Sequence, residues 1–178
     1  MPQQWQMSNC NEPVLGHEFD IEMQKNAQDP TVRERISRLL NEQPFAVLCT
    51  QGGGQPYGSL VAYAVSQDLK AATFATPVAT RKFRLLSECD HVALVVDSRA
   101  RFPDDMMKVE VVTATGRAVQ LDPGPEFDRW AELLITRHPQ LKSFVADPSS
   151  ALFRIDITRY LYVTRFQQVH PWIPESNG

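Results

Sequence analysis

Thr73-Phe74-Ala75-Thr76-Pro77-Val78-Ala79-Thr80-Arg81-Lys82-Phe83-Arg84-Leu85-Leu86 decides how this 178-residue chain is read. It starts as a strand and passes through a proline turn. It then opens a helix with a hydroxyl, two cations and a third cation two residues later. A helix start presents backbone N–H groups without intrahelical acceptors and a partial positive charge. Placing Arg81 and Lys82 there opposes the helix dipole by roughly 0.3–1 kcal/mol each, a conflict that a bound anion removes. The stretch therefore reads as a seat for a phosphate group. The competing reading is a solvated helix start whose cations face water.

The bulk composition decides between a small phosphate and a polyanion. The chain carries 18 basic and 21 acidic side chains, a net charge of −3. That argues against broad electrostatic binding to nucleic acid or to an anionic membrane, so no nucleic-acid or membrane partner is expected. No apolar run approaches the ~20 residues that span a bilayer. Met1 to Asn11 is Gln-rich and lacks the basic-then-apolar order of a signal peptide. Cys10, Cys49 and Cys89 are odd in number and have no C-x-x-C spacing. They read as free thiols of a cytoplasmic protein, with Cys49 and Cys89 buried as small hydrophobes. His17, His91, His138 and His170 are scattered without metal-ligand spacing, and no metal is expected.

Outward from the opening stretch, residues 1–28 form a polar arm, 29–172 one domain and 173–178 a C-terminal tail. Val32, Ile36, Leu39 and Leu40 recur at helical spacing and predict a helix over 30–42. Phe45 to Thr50 and Tyr57 to Ser66 read as strands joined at Gly52-Gly53-Gly54-Gln55-Pro56. The three glycines are a hairpin turn, since no Gly-Lys-Ser/Thr ends them as in a phosphate loop. Lys70 to Thr76 is a third strand, and Thr80 to Cys89 a helix with Phe83, Leu86 and Cys89 toward the core. His91 to Asp97 and Val109 to Leu121 are further strands, the second bent at Gly116. Phe127, Trp130, Leu133 and Leu134 stripe a helix from Glu126 to Arg137, and a short helical turn follows at Leu141 to Val145. The last strand, Ala151 to Phe166, alternates in part, through Phe153, Ile155 and Ile157 and then Leu161 and Val163. Six strands in consecutive antiparallel units predict a mainly β (α+β) fold, a closed or nearly closed barrel with peripheral helices.

This order resembles the pyridoxamine 5'-phosphate oxidase-like family of FMN-binding split β-barrels. The segments that carry the resemblance are Gly-Gln-Pro-Tyr-Gly-Ser-Leu-Val-Ala-Tyr (54–63), Phe-Ala-Thr-Pro-Val-Ala-Thr-Arg-Lys-Phe-Arg-Leu-Leu (74–86) and Val-Ala-Leu-Val-Val (92–96). Arg-Tyr-Leu-Tyr-Val-Thr-Arg-Phe (159–166) matches in character. The resemblance implies an antiparallel six-stranded split β-barrel, FMN as cofactor and a homodimer with its sites at the interface. It implies that Thr80, Arg81 and Lys82 hold the FMN phosphate. Ser59, Leu60 and Val61 would border the isoalloxazine, Ala75 and Thr76 would lie by the ribityl chain, and Pro77 would aim Thr80. Trp172 would pack on the flavin or across the dimer, or else cap the barrel. Val109, Val111 and Val112 supply an apolar strand face for the partner.

One departure bears on the substrate. A true pyridoxamine-phosphate oxidase ends in a segment whose arginines bind the substrate phosphate. Here Trp172 is followed by Ile-Pro-Glu-Ser-Asn-Gly, so vitamin B6 oxidation is not expected. The leading expectation is a small FMN-dependent oxidoreductase acting on an unidentified small molecule, the protein supplying position and electrostatics. The alternatives are a non-catalytic flavin or electron-carrier module, a haem-binding or haem-degrading barrel with His170 as candidate ligand, and a deazaflavin-dependent enzyme.

Overall fold

The computed structural model describes residues 30–165 and 168–175. The expected arm over 1–28, with Cys10 and His17, lies outside the described residues, as do residues 176–178 of the tail. Helix α1 spans Pro30–Glu42, with Val32, Ile36, Leu39 and Leu40 buried as their spacing requires. Strands β1 (Phe45–Gly52) and β2 (Gln55–Val65) form the hairpin, with Gly53 and Gly54 at φ 56° and 78° where a side chain would be strained. Strand β3 (Ala71–Pro77) leads into helix α2 (Arg81–Glu88), then β4 (His91–Asp97) and β5 (Val111–Gln120). Helix α3 (Pro125–Arg137) and the short α4 (Lys142–Ala146) precede β6 (Ser150–Thr164). No helix among the described residues is long and apolar enough to cross a membrane.

The strands run antiparallel in the order β3-β2-β1-β4-β5-β6, and β3 pairs with β6 to close a six-stranded barrel. A seventh strand, β7 (Gln168–Trp172), is an addition to the expected six. It continues the edge of β6 beyond β3: β3 occupies Ser150–Asp156 and β7 occupies Tyr160–Thr164. Its Pro171 hid it from a reading by propensity, because proline is tolerated only at such edge positions. The barrel interior holds Leu48, Tyr63, Phe74, Leu94, Val112, Ile155, Tyr160 and Tyr162. Helix α3 covers the outside of β3 and β6 through Trp130, Ala131 and Leu134.

Two features depart from simple alternation. Between Thr115 and Gly116 the β5–β6 register shifts by one, and Thr158 is the extra residue on β6. Its hydroxyl donates to the Thr115 carbonyl at 3.1 Å. Phe153, Ile155 and Ile157 face the interior, but past this bulge Tyr160 and Tyr162 replace them there. Leu161 and Val163 therefore turn outward, and the bulge is the reason the strand alternates only in part. Gly116 is required by the close approach, since a Cβ there would lie 2.2 Å from the Asp156 carbonyl oxygen. Val112 also departs: it is fully buried in the core, so it is no part of an apolar outer face.

Candidate functional site

The barrel is split beside the opening stretch. Strand β2 pairs with β3 only through Tyr63–Phe74, Ala64–Thr73 and Val65–Ala72. Strand β3 then stays with β6 as far as Pro77–Ser150 and leaves β2. Continued, the β2–β3 ladder would set Val61 opposite Thr76 and Leu60 opposite Pro77. Ser59 to Val61 and Ala75 to Pro77 are thus the two lips of one opening, with α2 starting at its end.

Strand alternation divides the work of the lips. Ser59 faces Leu48 across the β1–β2 ladder, and Val61 faces Ala46, so both point inward; Leu60 points outward and is 66% exposed. The Ser59 hydroxyl oxygen is closed off from solvent and has no hydrogen-bond partner. A buried hydroxyl left so costs roughly 1–3 kcal/mol. On the other lip, Thr76 is buried toward the interior and Ala75 packs beneath α3 with the outer cluster. Ala75 can therefore offer the opening only its backbone.

The turn into α2 is fixed by hydroxyls. Thr80 is the N-cap, with extended backbone (φ −87°, ψ 155°). Its Oγ1 accepts from the Phe83 N–H at 3.3 Å and donates to the Pro77 carbonyl at 2.9 Å. The Thr76 and Thr80 hydroxyls lie 3.0 Å apart. A hydroxyl has one proton, so with that of Thr80 on Pro77 the Thr76 hydroxyl is the donor of this pair. Thr80 is saturated by these contacts and serves the site by shaping the turn. The Arg81 and Lys82 amides have no acceptor within the helix.

Around this helix start, Val78, Ala79, Thr80, Arg81 and Arg84 line a cavity of 410 Å³. The Arg81 guanidinium carbon sits 5.0 Å from the centroid of the Tyr57 ring, on β2. Lys82 is half-buried beside it, and burial pushes its ammonium below the ordinary lysine range. An anion nearby would oppose that shift by favouring the charged form. Arg84 lines the cavity although the sequence reading did not place it among the site residues; its signal was the spacing of three from Arg81, which puts both on one helix face.

The remaining expected positions lie elsewhere. Trp172, on β7, is buried in the barrel core with its ring 5.6 Å from that of Tyr160. His170 packs its ring 5.9 Å from Tyr162. Cys89 is buried, whereas Cys49 is half-buried on the outer face of β1, where burial raises its thiol pKa.

A closed antiparallel barrel opened along one strand pair, with a helix start at the opening, defines a split β-barrel protein. The family model described as pyridoxamine 5'-phosphate oxidase matches residues 32–164, and the chain belongs to that family. No curated protein matches the sequence. Among solved structures, the haem-binding protein from Mycobacterium smegmatis is similar with a TM-score of 0.68 at 15% identity, over 78% of this chain and 56% of that one. Campylobacter jejuni ChuZ gives 0.69 at 12% identity, over 84% and 63% of the two chains. An FAD-binding protein from Mesorhizobium loti gives 0.60 at 16% identity, over 73% and 90%. This chain thus spans less than two thirds of the first two proteins. These likenesses support the shared fold.

Proposed function

We propose that this protein binds FMN in the β2–β3 opening and acts as a small flavin-dependent oxidoreductase. The observation that carries the reading is the cavity at the α2 start, lined by Arg81 and Arg84 just past the point where β3 leaves β2, in a chain of this family. Its cations suit the phosphate end of the cofactor. Bound flavin would supply hydride or electron transfer between a reduced donor and a small acceptor. The chain's own residues bind and orient. Arg81 and Lys82 balance the phosphate charge, with the α2 amides as further donors. Thr76 and Thr80 hold the turn, while Leu60, Val61 and the Ala75 backbone leave room for close approach.

The working unit in this reading is a homodimer. On the outer face of the barrel, Leu60, Val47, Val95, Thr113 and Leu161 are successive cross-strand partners across five strands. Val111, Val163 and Val169 form a parallel row. Leu60 and Val169 are exposed, and the others named are partly exposed. Such a continuous apolar band is the kind of surface that a second copy would cover.

The test is the absorbance spectrum of the purified protein, with FMN added and then removed by gel filtration. Retained flavin bands and an FMN-dependent rise in Tm support the reading. A colourless protein without that rise contradicts it, and a Soret band after haem addition in place of flavin binding moves the site to the haem alternative. NAD(P)H consumption with an added acceptor separates an enzyme from a carrier.

A further inference from the structure

The geometry points to a second ligand site on the outer wall of the barrel. It is a cavity beside α3 that takes a zwitterionic ligand of short-peptide type, with the carboxylate on Arg129 and the ammonium on Glu132.

The cavity measures 770 Å³ and lies between one flank of α3, the turn over residues 66–70 and the outer face of β6. The β2–β3 ladder separates it from the flavin opening. The turn follows the Val65–Ala72 pair, whereas the opening begins beyond the Tyr63–Phe74 pair. Such a volume suits a small organic ligand. Ala71, Trp130 and Leu133 give the cavity an apolar wall. Three acidic and three basic side chains also line it, so it favours no net charge.

Much of the wall is held before any ligand arrives, which lowers the ordering cost of binding. Arg154 is engaged by both Asp156 and Glu126, so its charge is matched within the protein. The turn is pinned from three sides. Arg33 donates to the Gln67 carbonyl at 3.1 Å, the Ser66 hydroxyl to Asp68 at 2.6 Å, and the buried Tyr160 hydroxyl to the Leu69 carbonyl at 2.7 Å. Leu69 itself stands at φ 61°, a left-handed conformation that persists in a leucine only where its surroundings enforce it.

Arg129 and Glu132 differ from these groups. They stand three apart on α3, a spacing at which opposite charges ordinarily pair. Both are exposed and line the cavity, and neither has an ion-pair partner among the described residues. The Arg129 guanidinium lies instead over the Trp130 ring, 5.2 Å from its centroid. Stacking orients the guanidinium and leaves its in-plane N–H groups open to a carboxylate. A free cation and a free anion one helical turn apart, beside an apolar wall, complement a molecule that carries both charges on an apolar body. A simple anion would be repelled by Glu132, and a simple cation by Arg129.

The experiment is isothermal titration calorimetry of the full chain with leucyl-leucine, its N-acetyl form and its C-terminal amide, repeated on Arg129→Ala and Glu132→Gln. Both side chains are exposed, so neither substitution removes a core contact. The expected result is saturable binding of leucyl-leucine by wild type, with Kd raised about tenfold or more for each blocked form. Arg129→Ala binds leucyl-leucine and its amide equally weakly but still rejects the acetyl form. Glu132→Gln shows the reverse pattern. Absence of leucyl-leucine binding up to about 10 mM overturns the proposal. Equal affinity of wild type for the blocked forms, or charge discrimination that survives both substitutions, overturns it as well.

Discussion

The hydroxyls of Thr76 and Thr80 lie 3.0 Å apart, one buried at the end of β3 and the other capping α2. This contact ties the strand lip of the opening to the helix that carries the cations. Thr80→Ala removes both it and the N-cap bond to Phe83, and should lower unfolding stability by about 1 kcal/mol. Urea denaturation checks this, with Thr80→Ser expected to keep most of the stability. An alanine variant as stable as wild type would show that the turn is held by other contacts.

The bulge at Gly116 sets which residues of β6 reach the interior. A Cβ at this position would lie 2.2 Å from the Asp156 oxygen and 3.0 Å from the Ile157 Cα. Backbone cannot yield as a flexible side chain can, so Gly116→Ala should cost at least ~1–3 kcal/mol. Thermal unfolding is the readout, and an unchanged Tm would mean that the register shift tolerates a side chain.

Tyr63 predicts an alkaline limb of instability. Its hydroxyl donates to the Leu40 carbonyl at 2.7 Å and its ring lies under the Arg137 guanidinium, 4.6 Å away. Burial pushes its pKa up to about 12, against the opposing pull of Arg137. The folded state holds the proton more tightly than the unfolded chain. This contribution is therefore complete below pH 10 and lost as pH rises through about 12, by about 3 kcal/mol in all. Denaturant unfolding at pH 9 and pH 11.5 measures it. Tyr160 shifts in the same direction through burial, so Tyr63→Phe should flatten the pH dependence without abolishing it. A slope unaffected by Tyr63→Phe would remove Tyr63 as a cause.

If the outer apolar row is covered by a second copy, a charge at its middle breaks the pair. Val95 pairs with Val47 on one side and Thr113 on the other. Val95→Glu should shift the mass in solution from dimer to monomer and reduce FMN affinity with it, because an unpaired charge in a dry interface is costly. Light scattering coupled to gel filtration reads the mass. A monomeric wild type would contradict the interface.

Much of this architecture is legible in the sequence because periodicity reports local geometry. The α1 spacing of Val32, Ile36, Leu39 and Leu40 fixes its bounds, and the Gly52–Gly54 run fixes the hairpin. What escaped depends on distant partners. The Thr158 bulge becomes visible only when β6 lies against Gly116, and it reverses the facing of Leu161 and Val163. Strand β7 exists because the β3–β6 pairing stops at Ala71–Asp156 and leaves the rest of that edge of β6 free. At the candidate site, the positions of Thr80 and Arg81 at a helix start were readable from a strand–turn–helix pattern. The Tyr57–Arg81 stacking joins residues from two elements that nothing in the local sequence connects.

The FMN titration of wild type against Arg81→Ala asks whether the helix start at Thr80 is a cofactor seat. The predicted result is tight FMN binding by wild type and a loss of about 1–3 kcal/mol in the variant, through the missing charged hydrogen bonds. Equal FMN affinity in the two proteins, or no FMN binding by wild type, would contradict it.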